Sequence, residues 1–344
     1  MRAAVITEDH GSEVLDAPDP SPGPDELVLR VQACGICGSD LKTAGAMPAG
    51  AVLGHEVCGE IVAIGREAGG KWKVGQPVSS MPLQACGRCR WCLSDDAAHC
   101  EKIELLGLGT SPGAFAEYVR VGAATTAALP AHLGDHGALV EPLAVGLHAV
   151  VSAGIRPDDR VLVIGGGSVG AAVTLWARRF GAGELVVSDP VASRRDSAAA
   201  FGATAAHDTN DGPVEPGFDV VLECVGGGGM IQSAIDAAAT RGRVVIAGLC
   251  MSSDSIMPIA ALLKEVEVRF AVYYRKSEFF LAASLLGTGE LDVDGMVTAR
   301  VGLDEVGDAF TRLRTTTSER KVLVMPAEAS SSERFPTGRS GPER

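Results

Sequence analysis

The stretch RVLVIGGGSVGAAVTLWARRF, Arg160 to Phe180, decides the fold. Its opening residues form an apolar, β-branched run of the kind a strand buried on both faces requires. Three glycines interrupt it, and SVGAAVTLWARRF then reads as a helix that Gly181 ends. Gly165 to Gly170 fits G-x-G-x-x-G, and it does so between a strand and a helix, the context that gives the pattern its meaning. Gly165 permits the turn, Gly167 lets the backbone approach a pyrophosphate, and Gly170 lets helix and strand pack closely. The free N–H groups of Ser168 and Val169 at the helix start suit phosphate oxygens.

The alternation continues downstream. ELVVSD is a second strand and VASRRDSAAAFGA a second helix; DVVLECVG, MIQSAIDAAAT and RVVIAGL repeat the pattern. Strands alternating with helices of ten or so residues predict an α/β fold, a Rossmann doubly wound parallel sheet over residues 147–275. Asp189 ends the second strand, 24 residues after Gly165. A carboxylate there accepts from a ribose 2′-OH and repels a 2′-phosphate, which favours NAD over NADP. Arg194 and Arg195 follow; either could approach a 2′-phosphate, while a solvated helix face is their more ordinary reading. Around Phe270 to Lys276 the alternation stops.

Upstream, residues 1–146 carry short strand-like runs split by Gly and Pro: RAAVI, ELVLRVQA, CGEIVAIG, QPVSS and FAEYVRV. They predict a β-rich, barrel-like unit. PDPSPGPDE, residues 18–26, is a surface turn. Residues 276–326 are expected to rejoin this first unit. Residues 327–344 are polar without apolar periodicity and are expected to be a disordered tail.

The chain has 344 residues, enough for two domains, and a net charge of -13. That charge argues against a nucleic-acid surface, which needs clustered Lys and Arg. The longest uncharged run, Val161 to Ala177, falls short of the roughly 20 apolar residues of a membrane span. The apolar run at the N-terminus stops at Glu8, too soon for a signal-peptide core. A cytoplasmic location is therefore expected, where thiols stay reduced and clustered cysteines serve as metal ligands.

Such a cluster is present. Cys86, Cys89, Cys92 and Cys100 stand at offsets of 3, 3 and 8. Two residues between cysteines let thiolates converge on one tetrahedral ion, and four sulfurs close its coordination sphere, so a zinc held there is structural. Four unrelated buried thiols, or an iron–sulfur cluster, are the competing readings; the usual bacterial iron–sulfur run has other spacing and a proline after its last cysteine. A second set supplies different ligand types: Cys37 in ACGICGSD, His55 and Glu56 in LGHEVCGE, and Glu141 in LVEPLAVGLHAV, just before a helix. One Cys, one His and one or two carboxylates match a catalytic zinc that keeps an open position.

The order CGICGSD, GHE, CxxCxxCx₇C, GAFAEYV, EPLAV and a later GxGxxG resembles the zinc-containing medium-chain alcohol dehydrogenase family over residues 1 to 326. It is most similar to the branch of sorbitol, butanediol and threonine dehydrogenases, because Glu141 stands where the animal and yeast alcohol enzymes have a Cys. The resemblance implies a GroES-like catalytic unit with a structural zinc lobe beside the Rossmann unit, and two zinc ions per subunit. Cys37, His55 and Glu141 would hold the catalytic zinc, with Glu56 on or beside it. Asp40 would accept from the far nitrogen of His55 and fix its tautomer. Ser39 would bond the substrate hydroxyl and begin the proton relay. Lys42 stands where the family often has the His that ends that relay, and Gly38 where the alcohol enzymes often place a cation for the pyrophosphate. Val225 and Gly226 would touch the adenosine side, and Ala247 to Leu249 would hold the nicotinamide amide through backbone groups.

The implied activity is reversible hydride transfer from an alcohol, by analogy a secondary alcohol or polyol, to NAD. A zinc-free quinone or enone reductase on the same scaffold is one rival; it lacks the zinc ligands found here. A zinc- and NAD-binding scaffold protein without turnover is the other, to which only Gly38 and Lys42 point. The expected partners are the small-molecule substrate and further copies of the chain, as a homo-dimer or, by resemblance, a homo-tetramer, paired through the edge strand Glu267 to Ala271.

Overall fold

The computed structural model describes residues 1–315 and 318–326, so the expected disordered tail, residues 327–344, lies outside the described residues. Two sheets organise it. The first has seven strands in the order Val297–Val301, Lys321–Val324, Glu26–Gly35, Glu56–Ile64, Pro77–Ser80 and Thr126–Ala128, with Tyr118–Gly122 also pairing on Glu26–Gly35. Lys321–Val324 thus pairs with the strand that leads to Cys37, and Val297–Val301 lies on its outer side. Val322 O accepts from Ile36 N, and Leu323 faces Gly35 in register.

The second sheet is parallel throughout: β1 (Val161–Ile164), β2 (Leu185–Ser188), β3 (Ala205–His207), β4 (Phe218–Glu223), β5 (Ala238–Ile246) and β6 (Glu267–Phe270), in the spatial order 3-2-1-4-5-6. The order reverses direction at β1, so the carboxyl ends of β1 and β4 form the crevice where doubly wound sheets bind ligands. All residues of β1 and β2 are buried, as the apolar runs Val161–Ile164 and Leu185–Val187 require.

Three helices position the site. α1 (Gly38–Thr43) follows Cys37, α2 (Val140–Ala153) carries Glu141 in its first turn, and α3 (Ser168–Arg179) starts at the glycine turn. α2 packs on α3 at Gly146, where a Cβ would meet that of Ala172 at 2.7 Å, and Trp176 Nε1 donates to Leu143 O at 2.8 Å. One continuous core runs from Ala33 and Cys58 beneath the first sheet through α2 to Val163 and Leu222 in the second.

Some elements differ from expectation. The helix read over VASRRDSAAAFGA breaks into Ala192–Asp196 and a tighter turn, Ala198–Phe201, where Ser197 Oγ donates back to Ser193 O at 2.7 Å. MIQSAIDAAAT is helical only to Ala237, and its last residues begin β5, since pairing in the parallel sheet outweighs the helix propensity of alanine. Glu141 lies within α2 rather than ahead of it.

Candidate active site

Cys37 caps α1 with extended backbone, and its N–H donates to Asp40 Oδ2 at 2.8 Å. Asp40 is completely buried, and its other oxygen lies 3.1 Å from His55 Nδ1. That contact fixes the imidazole so that Nε2 turns to the site, where Ser39 Oγ stands 3.3 Å away. The expected role of Asp40 therefore has its geometry. Burial works to lower the His55 basicity, but Asp40 and Cys37 outweigh it and hold the group well above its ordinary value. A metal cation would answer the same negative charges.

The ligand atoms of Cys37, His55 and Glu56 all lie within 4.8 Å of one another. Glu141, expected as the third ligand, is outside this set. It is buried nearby, pushed up to about 7 by burial and by the charge of Glu56, and it faces the Tyr274 hydroxyl, which makes no hydrogen bond of normal geometry. Glu56 sits where it does because Lys321 claims it: the Lys321 Nζ lies 2.6 and 2.5 Å from the two carboxylate oxygens, with both side chains 1% exposed. Lys321 also donates to Ile36 O at 3.0 Å. Burial acts to lower its basicity, yet the charges of Glu56 and Cys37 leave it raised. Gly35 makes room for the pair, since a Cβ there would meet Glu56 Oε2 at 1.9 Å. Cys37, Glu56 and Glu141 thus act on the Lys321 ammonium, and a divalent cation fits both the donor set and the charge balance.

The four cysteines of the other cluster also converge, with all sulfurs within 4.8 Å. Sulfurs about 2.3 Å from one tetrahedral zinc stand about 3.8 Å apart; here Cys89 to Cys92 is 3.5 Å and Cys86 to Cys92 is 3.9 Å. The Cys100 sulfur accepts from the N–H groups of Cys86 at 3.2 Å and Lys102 at 3.4 Å, the outer-shell bonds that zinc thiolates use. The Cys92 N–H lowers the Cys89 thiol to about 6, while burial and the adjoining sulfurs push Cys92 up to about 12. A cation removes that conflict.

At the glycine turn, Gly165 has φ 96°, a conformation that requires glycine. A Cβ on Gly170 would strike Gly165 O at 1.8 Å, whereas one on Gly167 would meet nothing within 4 Å. Open space therefore lies before the N-terminus of α3, where Ser168 Oγ has no hydrogen-bond partner. These are the features a pyrophosphate group would use. Asp189 is buried, and its oxygens accept from Gly166 N and Val191 N, both at 2.8 Å. The solvated-face reading of Arg194 and Arg195 does not hold. Arg194 turns to Asp189 at 3.6 Å and to Glu319 O, and Arg195 pairs with Asp208. Val225 and Leu249 are exposed at the ends of β4 and β5, and the N–H groups of Ala247 and Gly248 are held by Glu223 O.

Lys42 is the clearest departure. Its ammonium donates to Val225 O at 2.9 Å, Gly226 O at 3.0 Å and Leu249 O at 2.6 Å, which commits all three protons to backbone carbonyls. Residues that sequence reasoning missed are Lys321, Arg320, Glu223 and the tyrosine pair. Arg320 donates to Gly166 O at 3.2 Å and stacks over Phe201. Tyr273 has φ 54°, unusual for a bulky residue, and is influenced by both His55 and Glu141. A positive-φ tyrosine leaves no mark in sequence.

Residues 23–131 match the family model described as the alcohol dehydrogenase GroES-like domain, and residues 168–287 match that of the zinc-binding dehydrogenase. Sorbitol dehydrogenase of Bacillus subtilis (strain 168) is 30% identical over 349 residues, spanning 95% of this chain and 97% of that protein. L-galactonate-5-dehydrogenase of Escherichia coli K12 is 31% identical, spanning 85% and 89%. Among solved structures, a zinc-binding dehydrogenase from Sinorhizobium meliloti 1021 bound to NADP superposes with a TM-score of 0.86 at 33% identity, covering 94% of this chain and 99% of its own. For 2R,3R-butanediol dehydrogenase of Bacillus subtilis the values are 0.82, 28%, 95% and 99%. Two ligand clusters of zinc type, a dinucleotide-type glycine turn and relatives matching along nearly the whole length agree: this chain belongs to the zinc-containing medium-chain alcohol dehydrogenase family.

Proposed function

We propose that this zinc-dependent dehydrogenase reversibly oxidises a secondary alcohol or polyol to the ketone, with NAD as hydride acceptor. The observation that carries the reading is the approach of α1 to the ends of β4 and β5: the helix that follows Cys37 touches the loops where a nicotinamide would lie. Metal and hydride acceptor would then share one crevice.

Bound zinc would supply Lewis acidity toward the substrate oxygen, and bound NAD would supply the hydride acceptor. The chain's own part is alignment. Cys37, His55 and Glu141 would hold the catalytic metal, with Glu56 exchanging between it and Lys321. Asp40 holds His55 in the tautomer a ligand needs. Ser39 Oγ lies 3.3 Å from His55 Nε2 and would accept the hydroxyl proton of the substrate while releasing its own toward solvent, as the substrate carbon gives up hydride. Cys86, Cys89, Cys92 and Cys100 would hold a second zinc with no open position.

NAD rather than NADP is favoured by Asp189, whose buried carboxylate at the end of β2 would meet a 2′-phosphate with its charge. A homo-dimer or homo-tetramer is supported by β6, an edge strand with every residue exposed, beside exposed Leu262, Leu263 and Val272. Nine unpaired cysteines suit a cytoplasmic, reducing location.

A panel of secondary alcohols and polyols, read by NADH absorbance, tests the activity. Cys37→Ser should abolish turnover and lower bound zinc from two to one per chain. Full turnover in that variant would overturn the assignment of the catalytic metal.

A further inference from the structure

Lys42 reaches from α1 to two loops of the parallel sheet, and those loops are held from the other side as well. Glu223, at the end of β4 and completely buried, accepts at Oε1 from Val225 N at 2.6 Å and Gly226 N at 2.8 Å. The peptide unit that joins Val225 to Gly226 therefore has the carboxylate on its N–H and the ammonium on its C=O, while the unit before it meets the carboxylate alone and the unit after it the ammonium alone. Each charge sits at the end of the peptide dipole that attracts it, and hydrogen bonds to ionised groups are the stronger kind.

The loops have few other means of being held. Gly226 has φ 64°, and a Cβ there would meet Leu249 O at 2.4 Å; one on Gly248 would meet Gly226 N at 2.2 Å and Glu223 Oε2 at 2.5 Å. No side chain fits between the two segments, so backbone polar groups and the two charges set their spacing. Outward, Val225 and Leu249 present apolar surface, 45% and 42% exposed, to the crevice.

We infer that Lys42 is a positioning residue for the dinucleotide: its ammonium fixes the Val225–Gly226 and Leu249 carbonyls relative to α1, and so sets the shape of the nicotinamide end of the site. This rests on the reading of the protein as a dinucleotide-dependent enzyme. It replaces a relay role. An ammonium whose three protons lie on carbonyls has no lone pair to receive a fourth, and the distance that matters for it is to the loops, not to Ser39.

The experiment is titration of zinc-loaded protein with NADH, followed by nicotinamide fluorescence, for the wild type and for Lys42→Met, Lys42→Arg and Lys42→Gln. Lys42→Met removes the charge and keeps the stem. It should weaken NADH binding about tenfold or more, the loss expected when charge-assisted bonds to a binding loop are removed. Lys42→Arg should recover most of the affinity, and Lys42→Gln little of it. The KM for alcohol at saturating NAD, the pH profile of kcat and the zinc content of two per chain should stay as in the wild type. Lys42→Met binding NADH within about twofold of the wild type overturns the proposal. So does an altered pH profile of kcat with NADH affinity unchanged, which would return Lys42 to proton transfer. Failure of the wild type itself to bind NADH would instead bring down the functional reading, and this one with it.

Discussion

Replacing Lys321 by Met removes the ammonium that pairs with Glu56 while keeping a stem of similar length. Both partners are 1% exposed and joined at 2.5 Å, so water cannot take over the role of the lost charge. Glu56 is then left buried next to Glu141, already pushed up to about 7 by burial and by Glu56 itself. Breaking a buried ion pair from one side costs about 3–5 kcal/mol, because the surviving charge is uncompensated. The loss of the Lys321 bond to Ile36 O adds to this, since that carbonyl has few alternatives. Urea unfolding of metal-depleted protein at pH 8, followed by tryptophan fluorescence, should show a loss of that size for Lys321→Met. The double variant Glu56→Gln/Lys321→Met should be far less destabilised than the sum of its singles, a coupling of several kcal/mol. Zinc should reduce the cost of Lys321→Met, because a cation on the same donor set can balance Glu56. A single variant within about 1 kcal/mol of the wild type, or a double variant equal to the sum, would refute the view that this pair governs the charge of the site.

Glu141 gives a pH prediction. Its pKa, raised from 4.5 to about 7, means that the folded metal-free protein keeps the proton after the unfolded chain has lost it. Stability from this group is complete below about pH 4.5 and is lost as pH rises through 7, about 3 kcal/mol in all; Glu141→Gln should abolish that slope, and its persistence in urea titrations would assign it elsewhere. Cys89→Ser should leave one zinc per chain, retain the Cys37 site and sharply lower the melting temperature, as loss of a structural zinc does; unchanged zinc content would contradict the closed Cys₄ site. Gly170→Ala forces a Cβ to 1.8 Å from Gly165 O, so the turn must open and NADH binding should fall by at least about tenfold in fluorescence titration. Phe270→Lys on the exposed edge strand should halve the mass seen by light scattering or lower it further, and an unchanged mass would move the subunit contact away from β6.

What could be read in advance, and what could not, divides by distance along the chain. Cys86 to Cys100 and Gly165 to Gly170 are local motifs whose geometry follows from spacing alone, and the folded chain closes both as their spacing requires. His55 and Asp40 lie 15 residues apart, and the hydrogen bond that joins them came from the resemblance rather than from any periodicity. The counter-charges were invisible. Lys321 meets Glu56 across 265 residues of sequence, because the last strand enters the first sheet beside Gly35, and a lysine before an apolar run reads only as a strand edge. The partners of Lys42 were hidden for the same reason. Its neighbours in sequence belong to the metal site, but its donors are satisfied 183 to 207 residues away. A long, flexible cation is placed by where acceptors are left over, and acceptors are left over at loop carbonyls that only the tertiary fold brings together. The ligands of this site are therefore written in short motifs, whereas the groups that balance its charge and hold its loops are written in the topology.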